Sequence, residues 1–520
     1  MSLKESSVGK IVRGGFWLYV SNVVGSLAGF AYWLVISAIA GAEVLGITSA
    51  VVGLVNLVAG VINLGVGAGC QRFFGLCLGR CDEEGLRAYF WSTTIFTIFT
   101  HLSASSVLLA LWVMDANMGT FTSDMLFLAS IILFFQAFVP FQSLLISLLK
   151  TDVIFYANIA GNALKFVVGV ALVALGFGWF GAGLGYAVVG IASSIVTVIY
   201  CLRIVGLRPV WRRYALSDVL KAGFASWLPY VIVTLGQWLG VLMVFGIAGA
   251  VETGHYYVAL AIASMILMIA TSLASLLLPV LSSMEDGRKR VAGRVLRMSL
   301  AFMVPVAIFT GLYPWIPLSL LGQQYLDASP VLSVLLLACV PIALSSCVSS
   351  LLYAYSRYDL VLLVGLAQNL PSMASYFILV PRLGGLGAAI SYALGHFTGL
   401  VATMFASKLV NFSLDFKGLA RVLAPPLVAG FACRSLGAHW ALALIVIALL
   451  SLLSYAKLRV ISRSELREIV HALFSKEVAD RLGGRTRLVL DLLYGPRTAP
   501  RNCGERSETA ERDEELRKGS

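Results

Sequence analysis

Charge is what this chain has least of. Asp, Glu, Lys and Arg make up 12% of it, whereas 59% is apolar and the mean hydropathy is +0.90. Water-soluble domains carry about a quarter charged residues, so a soluble globular enzyme is excluded. Acids are rarer still inside the apolar segments, where only Asp124 and Asp359 occur, each at a segment end. Cysteine builds no scaffold. Its eight residues are scattered, and the pair Cys77 and Cys81 has no histidine nearby, so neither a disulfide framework nor a zinc site is indicated. No Walker-type glycine loop is present, and the loops are too short for a catalytic domain. ATP hydrolysis within the chain is not expected, and no cofactor is implied.

What is abundant is length of apolar sequence. Runs of roughly 20 residues recur from about 14 to 456, each enough to cross a ~30 Å hydrocarbon core as a helix. A run such as YVIVTLGQWLGVLMVFGIAGA (230–250) lacks the alternation of a barrel strand. The expected fold is an all-α polytopic membrane protein with about fourteen spans. The first apolar run is too long for a cleavable signal and lacks its small-residue cleavage site.

Basic residues orient these spans. Twenty-one Lys and Arg fall at the N-terminus and after even-numbered spans, among them Arg72, Lys150, Arg208, Arg288, Arg357 and Lys408. The opposite loops hold Arg382 and Arg434 beside Glu43, Asp115, Glu252 and Asp327. The positive-inside rule predicts cytoplasmic termini in a multi-pass plasma-membrane protein. The net charge of +12 is then mostly topology, and no nucleic-acid partner is expected.

The chain also repeats itself. IAGAEVLG (39–46) returns 208 residues later as IAGAVETG (247–254); Lys150-Thr151-Asp152 returns 207 later as Arg357-Tyr358-Asp359; GAGLGYAVV (181–189) returns 206 later as GAAISYALG (387–395). An even unit of six helices enters the membrane twice in the same direction, so the copies are parallel repeats with a site expected between them. The predicted organisation is a cytoplasmic N-terminus (1–13), a first lobe of spans 1–6 (14–203), a linker (204–221), a second lobe of spans 7–12 (222–407) and spans 13–14 (418–456). Cytoplasmic amphipathic helices (457–495) and a disordered tail (496–520) complete it. Gly41, Gly46, Gly249 and Gly254 are expected to serve the short turns of the repeated phrase.

The stretch GAEVLGITSAVVGLVNLVAGVINLGVGAGCQRF (41–73) resembles the opening of the polysaccharide transporter family, the Wzx-type lipid-linked oligosaccharide flippases. Their superfamily includes multidrug/toxin extruders and lipid II flippases. The resemblance rests on Glu43, Gly46, Leu64, Gly65 and Arg72, and extends over about residues 8–456. Where the family often has an acid before the Leu-Gly element this chain has Asn63, so no ion role is carried over. The resemblance implies a MATE-like fold and transport of a lipid-linked oligosaccharide on a polyprenyl or dolichyl phosphate or pyrophosphate. Membrane lipids are further partners, and glycan-assembly enzymes are candidates.

Lys165 is the one basic residue predicted deep in a span, about 18 Å from its basic end. Asn158, Asn162 and Lys165 share a helical face with Gly161 and Gly169, while Leu164 and Val167 point away. That face suits a wet cavity; the alternative is a structural lysine capping carbonyls in a packed bundle. His101, Asn369 and Gln237 are weaker candidates for the same cavity, because a lone amide or imidazole in a membrane helix more often bridges helices. Among functions, a flippase for an anionic lipid-linked sugar fits best. A cation-coupled multidrug exporter of the same fold is the alternative, disfavoured by the missing intramembrane acids. A membrane glycosyltransferase fits poorly, since the first outer loop carries Glu43 alone, so no enzyme is expected.

Overall fold

The computed structural model describes residues 7–283, 286–458 and Val460. The terminal helices and tail expected beyond 460 lie outside the described residues. Every named element is helical, apart from one isolated bridge between Met118 and Phe121. In chain order they are α1 (Ser7–Ile62), α2 (Val66–Gly79), α3 (Glu83–Val113), α4 (Ser123–Phe134), α5 (Val139–Ser147), α6 (Thr151–Leu172), α7 (Gly178–Val205) and α8 (Arg213–Ala248). There follow α9 (Ala250–Ser283), α10 (Arg288–Leu312), α11 (Trp315–Ser319), α12 (Ser329–Leu337), α13 (Cys339–Ala354), α14 (Tyr358–Leu409), α15 (Phe416–Ser435) and α16 (Trp440–Lys457). Packing divides the chain into Met1–Ile447 and Ala448–Ser520; the first unit holds both repeats, α15 and the first part of α16.

Eleven described helices are long and apolar enough to cross a membrane. Three of them, Val20–Ile62, Thr151–Val205 and Tyr358–Leu409, run to 43, 55 and 52 residues, about twice what a ~30 Å core requires. Each is broken near its middle at a glycine: Gly41, Gly176 and Gly384. Two of the three fold back on themselves. A Cβ on Gly161 of α6 would meet Ser193 and Val189 of α7, and Gly185 lies against Gly169. Within α14, the Thr398 hydroxyl donates to the Ala367 carbonyl at 2.7 Å.

The repeat is written into the backbone. Gly41 and Gly249 have φ/ψ of 83/−178 and 88/−179. Gly178 and Gly384 have 51/−131 and 55/−132. Leu149 and Ser356, just before Lys150 and Arg357, both turn left-handed at φ 58 and 56. These pairs are separated by 208, 206 and 207 residues, the same drifting offset found in the sequence. The fold is thus a helical bundle built on an internal repeat, with α15 packed on α10.

The repeated phrase does more than turn. Gly41 and Gly249 do make turns, but Gly46 and Gly254 sit within helices, where they permit a crossing. A Cβ on Gly46 would strike the Ala250 carbonyl, and one on Gly254 would strike the Ala42 carbonyl. Because 42 and 46 are the repeat partners of 250 and 254, the two contacts are one contact related by pseudo-symmetry. From there a seam runs between the second half of α1 and α8. A Cβ on Gly53 would lie 3.0 Å from Trp238 and one on Gly60 3.4 Å from Thr234, and Gly46, Gly53 and Gly60 stand at seven-residue spacing. Small residues at such an interface let helix backbones approach closely.

At the other end of the seam the second span, which hydropathy predicts over about 44–69, stops early. The structure ends it at Ile62, where Asn63-Leu64-Gly65 forms a turn with φ 47 at Leu64 and 74 at Gly65. Gly65 is required twice over, since a Cβ there would also enter the Gly223 carbonyl. The last-turn carbonyls of α1, which have no partner within the helix, receive the Trp227 indole N–H, 3.0 Å from Val61 and 3.2 Å from Gly60. Gly46→Ala should therefore cost about 1–3 kcal/mol of overpacking and lower the thermal midpoint in detergent by several degrees. Gly246→Ala on α8, where nothing lies within 4 Å of an added Cβ, should not; equal midpoints for the two variants would refute the tight crossing.

Candidate functional site

Lys165 is 4% exposed, with Gly161 and Gly169 buried on its face, while Leu164 and Val167 are 46% and 68% exposed. Its ammonium sits over the Tyr32 ring, 5.0 Å from the centroid. A cation over an aromatic face is stabilised by about 0.5–2 kcal/mol, more when desolvated. Among the described residues no carboxylate forms an ion pair with it. Tyr32 is fully buried, and its hydroxyl donates to the Ala182 carbonyl of α7 at 2.7 Å. The slot for the ring is made by two glycines, because a Cβ on Gly169 or Gly185 would collide with the Tyr32 hydroxyl.

Lys165 lines a cavity of about 390 Å³. Gly29 and Trp33 of α1, Gln136, Asn162 of α6 and Tyr186 of α7 share its wall. All its lining residues belong to the first repeat. A second cavity of about 300 Å³ lies alongside, sharing Phe135, Gln136, Val189 and Gly190 with the first. Its wall includes Asn56, Asn63, His101, Gln142 and Asn158, with Tyr230 contributed by α8.

Four of the six residues singled out by sequence thus surround this pair of chambers. Asn162 lines the first and turns its Nδ2 back to the Asn158 carbonyl at 2.8 Å. Asn158 and His101 line the second. Asn158 also bridges helices, donating to the Ser21 hydroxyl at 2.9 Å and accepting from Ser193 at 3.3 Å. His101 Nδ1 lies 2.9 Å from the Thr97 carbonyl, so that nitrogen carries a proton. Asn369 and Gln237 line neither chamber. Asn369 is buried with its Oδ1 against Gly236, and Gln237 is exposed on α8.

The second repeat keeps the backbone but rearranges the contents. Ser372 stands where Lys165 would be. Gly240 takes the place of Tyr32 and Tyr376 that of Gly169, so the bulky ring has moved to the opposite helix. Tyr376 packs at 3.1 Å from a Cβ on Gly240, and its hydroxyl donates to Gly236. Ring and glycine fill the same space in both lobes; the cation is an addition to the first.

Sequence reasoning passed over Tyr32, Trp33, Tyr186 and Gln142. One signal was available: Gly25, Gly29 and Trp33 fall on one helical face, and nothing lies within 4 Å of a Cβ on either glycine. A second was the proline of the fourth predicted span. The span is broken into α4, a 3₁₀ segment at Phe135–Phe138 and α5. Pro140 lacks the N–H that would serve the Gln136 carbonyl four residues back, which places the break at the wall shared by the two chambers.

Two like-built bundles of membrane-crossing helices, one enclosing a cation, define an all-α polytopic membrane protein built on an internal repeat. A model of the family described as "Polysaccharide biosynthesis protein" matches residues 50–330, more than half of the chain, and the chain belongs to that family. No curated protein sequence matches it. The solved structure of the lipid II flippase MurJ in an inward closed conformation is 12% identical, with 85% of this chain and 98% of that one covered at a TM-score of 0.67. An inward-facing multidrug resistance MATE family transporter of the MOP superfamily is 17% identical, covering 74% and 94% at 0.56. A MOP superfamily transporter from Pyrococcus furiosus, titled for the reverse polarity of its binding pocket, is 16% identical, covering 78% and 96% at 0.53.

Gly29→Leu should fill the first chamber without disturbing the fold, whereas Gly169→Ala should evict Tyr32. Thermal unfolding and near-ultraviolet circular dichroism should be unchanged in the first variant and altered in the second; the opposite pattern would mean that the chamber is not open space.

Proposed function

We propose that this protein moves an anionic lipid-linked oligosaccharide from the cytoplasmic to the outer leaflet by alternating access. The observation that carries the reading is Lys165: a buried cation facing a chamber, held by an aromatic face and ion-paired to no carboxylate among the described residues. A charge at mid-bilayer costs ~2.5–3.5 kcal/mol on insertion scales, and a purely structural lysine would recover that from an acid or a row of carbonyls. A phosphate or pyrophosphate entering the chamber supplies the missing counter-charge, with Asn162 at hand for its oxygens.

The family to which the chain belongs is one of polysaccharide biosynthesis, and a lipid II flippase is among the structures that share its fold. Polar sugars crossing hydrocarbon unaided would leave many hydrogen-bonding groups unsatisfied. A polar chamber removes that cost while the polyprenyl or dolichyl tail stays in lipid. No bond is made or broken, so the protein acts as a transporter and not as an enzyme. The charge distribution supports cytoplasmic termini in the plasma membrane. Exposure of the chamber to alternate sides requires the glycine seam to part, with Trp238 leaving Gly53 and Thr234 leaving Gly60.

The test is transport of a fluorescent lipid-linked oligosaccharide in reconstituted proteoliposomes. Lys165→Ala should reduce it by roughly ten- to a hundredfold, the worth of a hydrogen bond to a charged group at about 1.5–3 kcal/mol. Lys165→Arg, which keeps the charge, should retain most of it. Wild-type transport in the alanine variant would remove Lys165 from the mechanism.

A further inference from the structure

The second chamber differs in kind from the first. None of its lining residues is Asp, Glu, Lys or Arg; its polar groups are the amides of Asn56, Asn63, Gln136, Gln142 and Asn158, together with an imidazole and hydroxyls. A side-chain amide offers donors and an acceptor together, as does a sugar hydroxyl or an acetamido group. A carboxylate or phosphate would find no cation there.

Part of this polarity is already committed. Asn158 ties α6 to Ser21 and Ser193, and Asn56 donates to the Val52 carbonyl at 2.8 Å. Another part is not. The Asn63 Oδ1 is buried with no hydrogen-bond partner among the described residues. Such an atom costs about 1–3 kcal/mol when left alone, and it sits in the turn at the end of α1, beside the strained Leu64. Gln142 presents an exposed amide to the same chamber. Between the chambers stands Gln136, on the 3₁₀ break whose carbonyl Pro140 cannot serve. A helix interrupted at a chamber wall is how membrane proteins line a binding site without exposing backbone to lipid.

We infer that the second chamber is the subsite for the sugar adjoining the lipid phosphate, and that it selects a neutral sugar, a hexose or an N-acetylhexosamine, over one bearing an acid. Asn63 accepts from a hydroxyl or acetamido N–H of that sugar, and Gln136 and Gln142 bracket it. The inference rests on the reading of Lys165 as the anion receptor in the adjoining chamber.

Three short-chain probes separate the two claims: farnesyl pyrophosphate, the same lipid carrying one N-acetylglucosamine on its terminal phosphate, and its glucuronic acid counterpart. Dissociation constants are measured on the full-length protein in nanodiscs. The neutral sugar should tighten binding at least tenfold over the bare pyrophosphate, and the glucuronyl probe should gain little. Gln142→Leu and Asn63→Leu should each abolish most of the gain from N-acetylglucosamine, while the affinity for farnesyl pyrophosphate changes by less than twofold. Lys165→Ala should weaken all three probes. A gain that survives both leucine variants, equal gains for neutral and acidic sugars, or an equal loss for all three probes in the leucine variants would overturn the sugar subsite and leave the anion receptor standing. Unchanged binding of the bare pyrophosphate to Lys165→Ala would instead overturn the anion receptor. The wild-type comparison among probes needs no substitution, so a variant that misfolds does not decide the matter.

Discussion

The arrangement of the first repeat depends on one interaction, the Lys165 ammonium over the Tyr32 ring. A cation buried in an apolar bundle ordinarily finds a carboxylate. Here its stabilising partner is a ring quadrupole, which softens the cost of burial without cancelling the charge. Much else in the lobe is arranged around that pair. Gly169 and Gly185 vacate the space for the ring, the Ala182 carbonyl fixes its hydroxyl, and Gly25 and Gly29 leave the volume in front of the lysine open. An ammonium paired to an acid would be satisfied and inert toward anions; one held by a ring keeps its attraction for an incoming negative group.

The second repeat shows which features belong to the architecture and which to the site. Matching left-handed turns recur at Gly41 and Gly249, Leu149 and Ser356, Gly178 and Gly384. The Tyr–Gly pair also recurs with its partners exchanged between helices, so a ring at that depth is a packing requirement of the lobe. Lysine is not: Ser372 fills the equivalent position. The two lobes meet along glycines at seven-residue spacing and at the symmetric crossing of residues 42, 46, 250 and 254. The crossing is backbone against backbone, whereas Gly53 and Gly60 receive the side chains of Trp238 and Thr234.

Much of the architecture was legible in the sequence because hydropathy and a long-period repeat are properties of the chain itself. The helical class, the repeat offsets and the buried face of α6 could all be read from residue spacing. The function of Gly46 and Gly254 could not, since a glycine that permits a turn and one that permits a crossing look alike until the neighbouring helix is placed. For the same reason the second span was drawn past Ile62, through a Leu-Gly element that is in fact a turn. The site was legible on the helix bearing Lys165, where Asn158 and Asn162 share its face, but not across helices. Tyr32 lies 133 residues away in the chain and reads as ordinary core aromatic. Asn369 shows the converse: its repeat partner Asn162 lines a chamber, while Asn369 repeats only that residue's back-bond to its own helix.

The most direct measurement is the distance between the Lys165 nitrogen and the phosphorus of a bound lipid pyrophosphate, by solid-state nuclear magnetic resonance of lysine-labelled protein in bilayers. The account predicts strong nitrogen–phosphorus dipolar coupling from a charge-assisted hydrogen bond, lost when Lys165 is replaced by alanine. A lysine nitrogen that stays over the Tyr32 ring, uncoupled to phosphorus in a saturated complex, would contradict it.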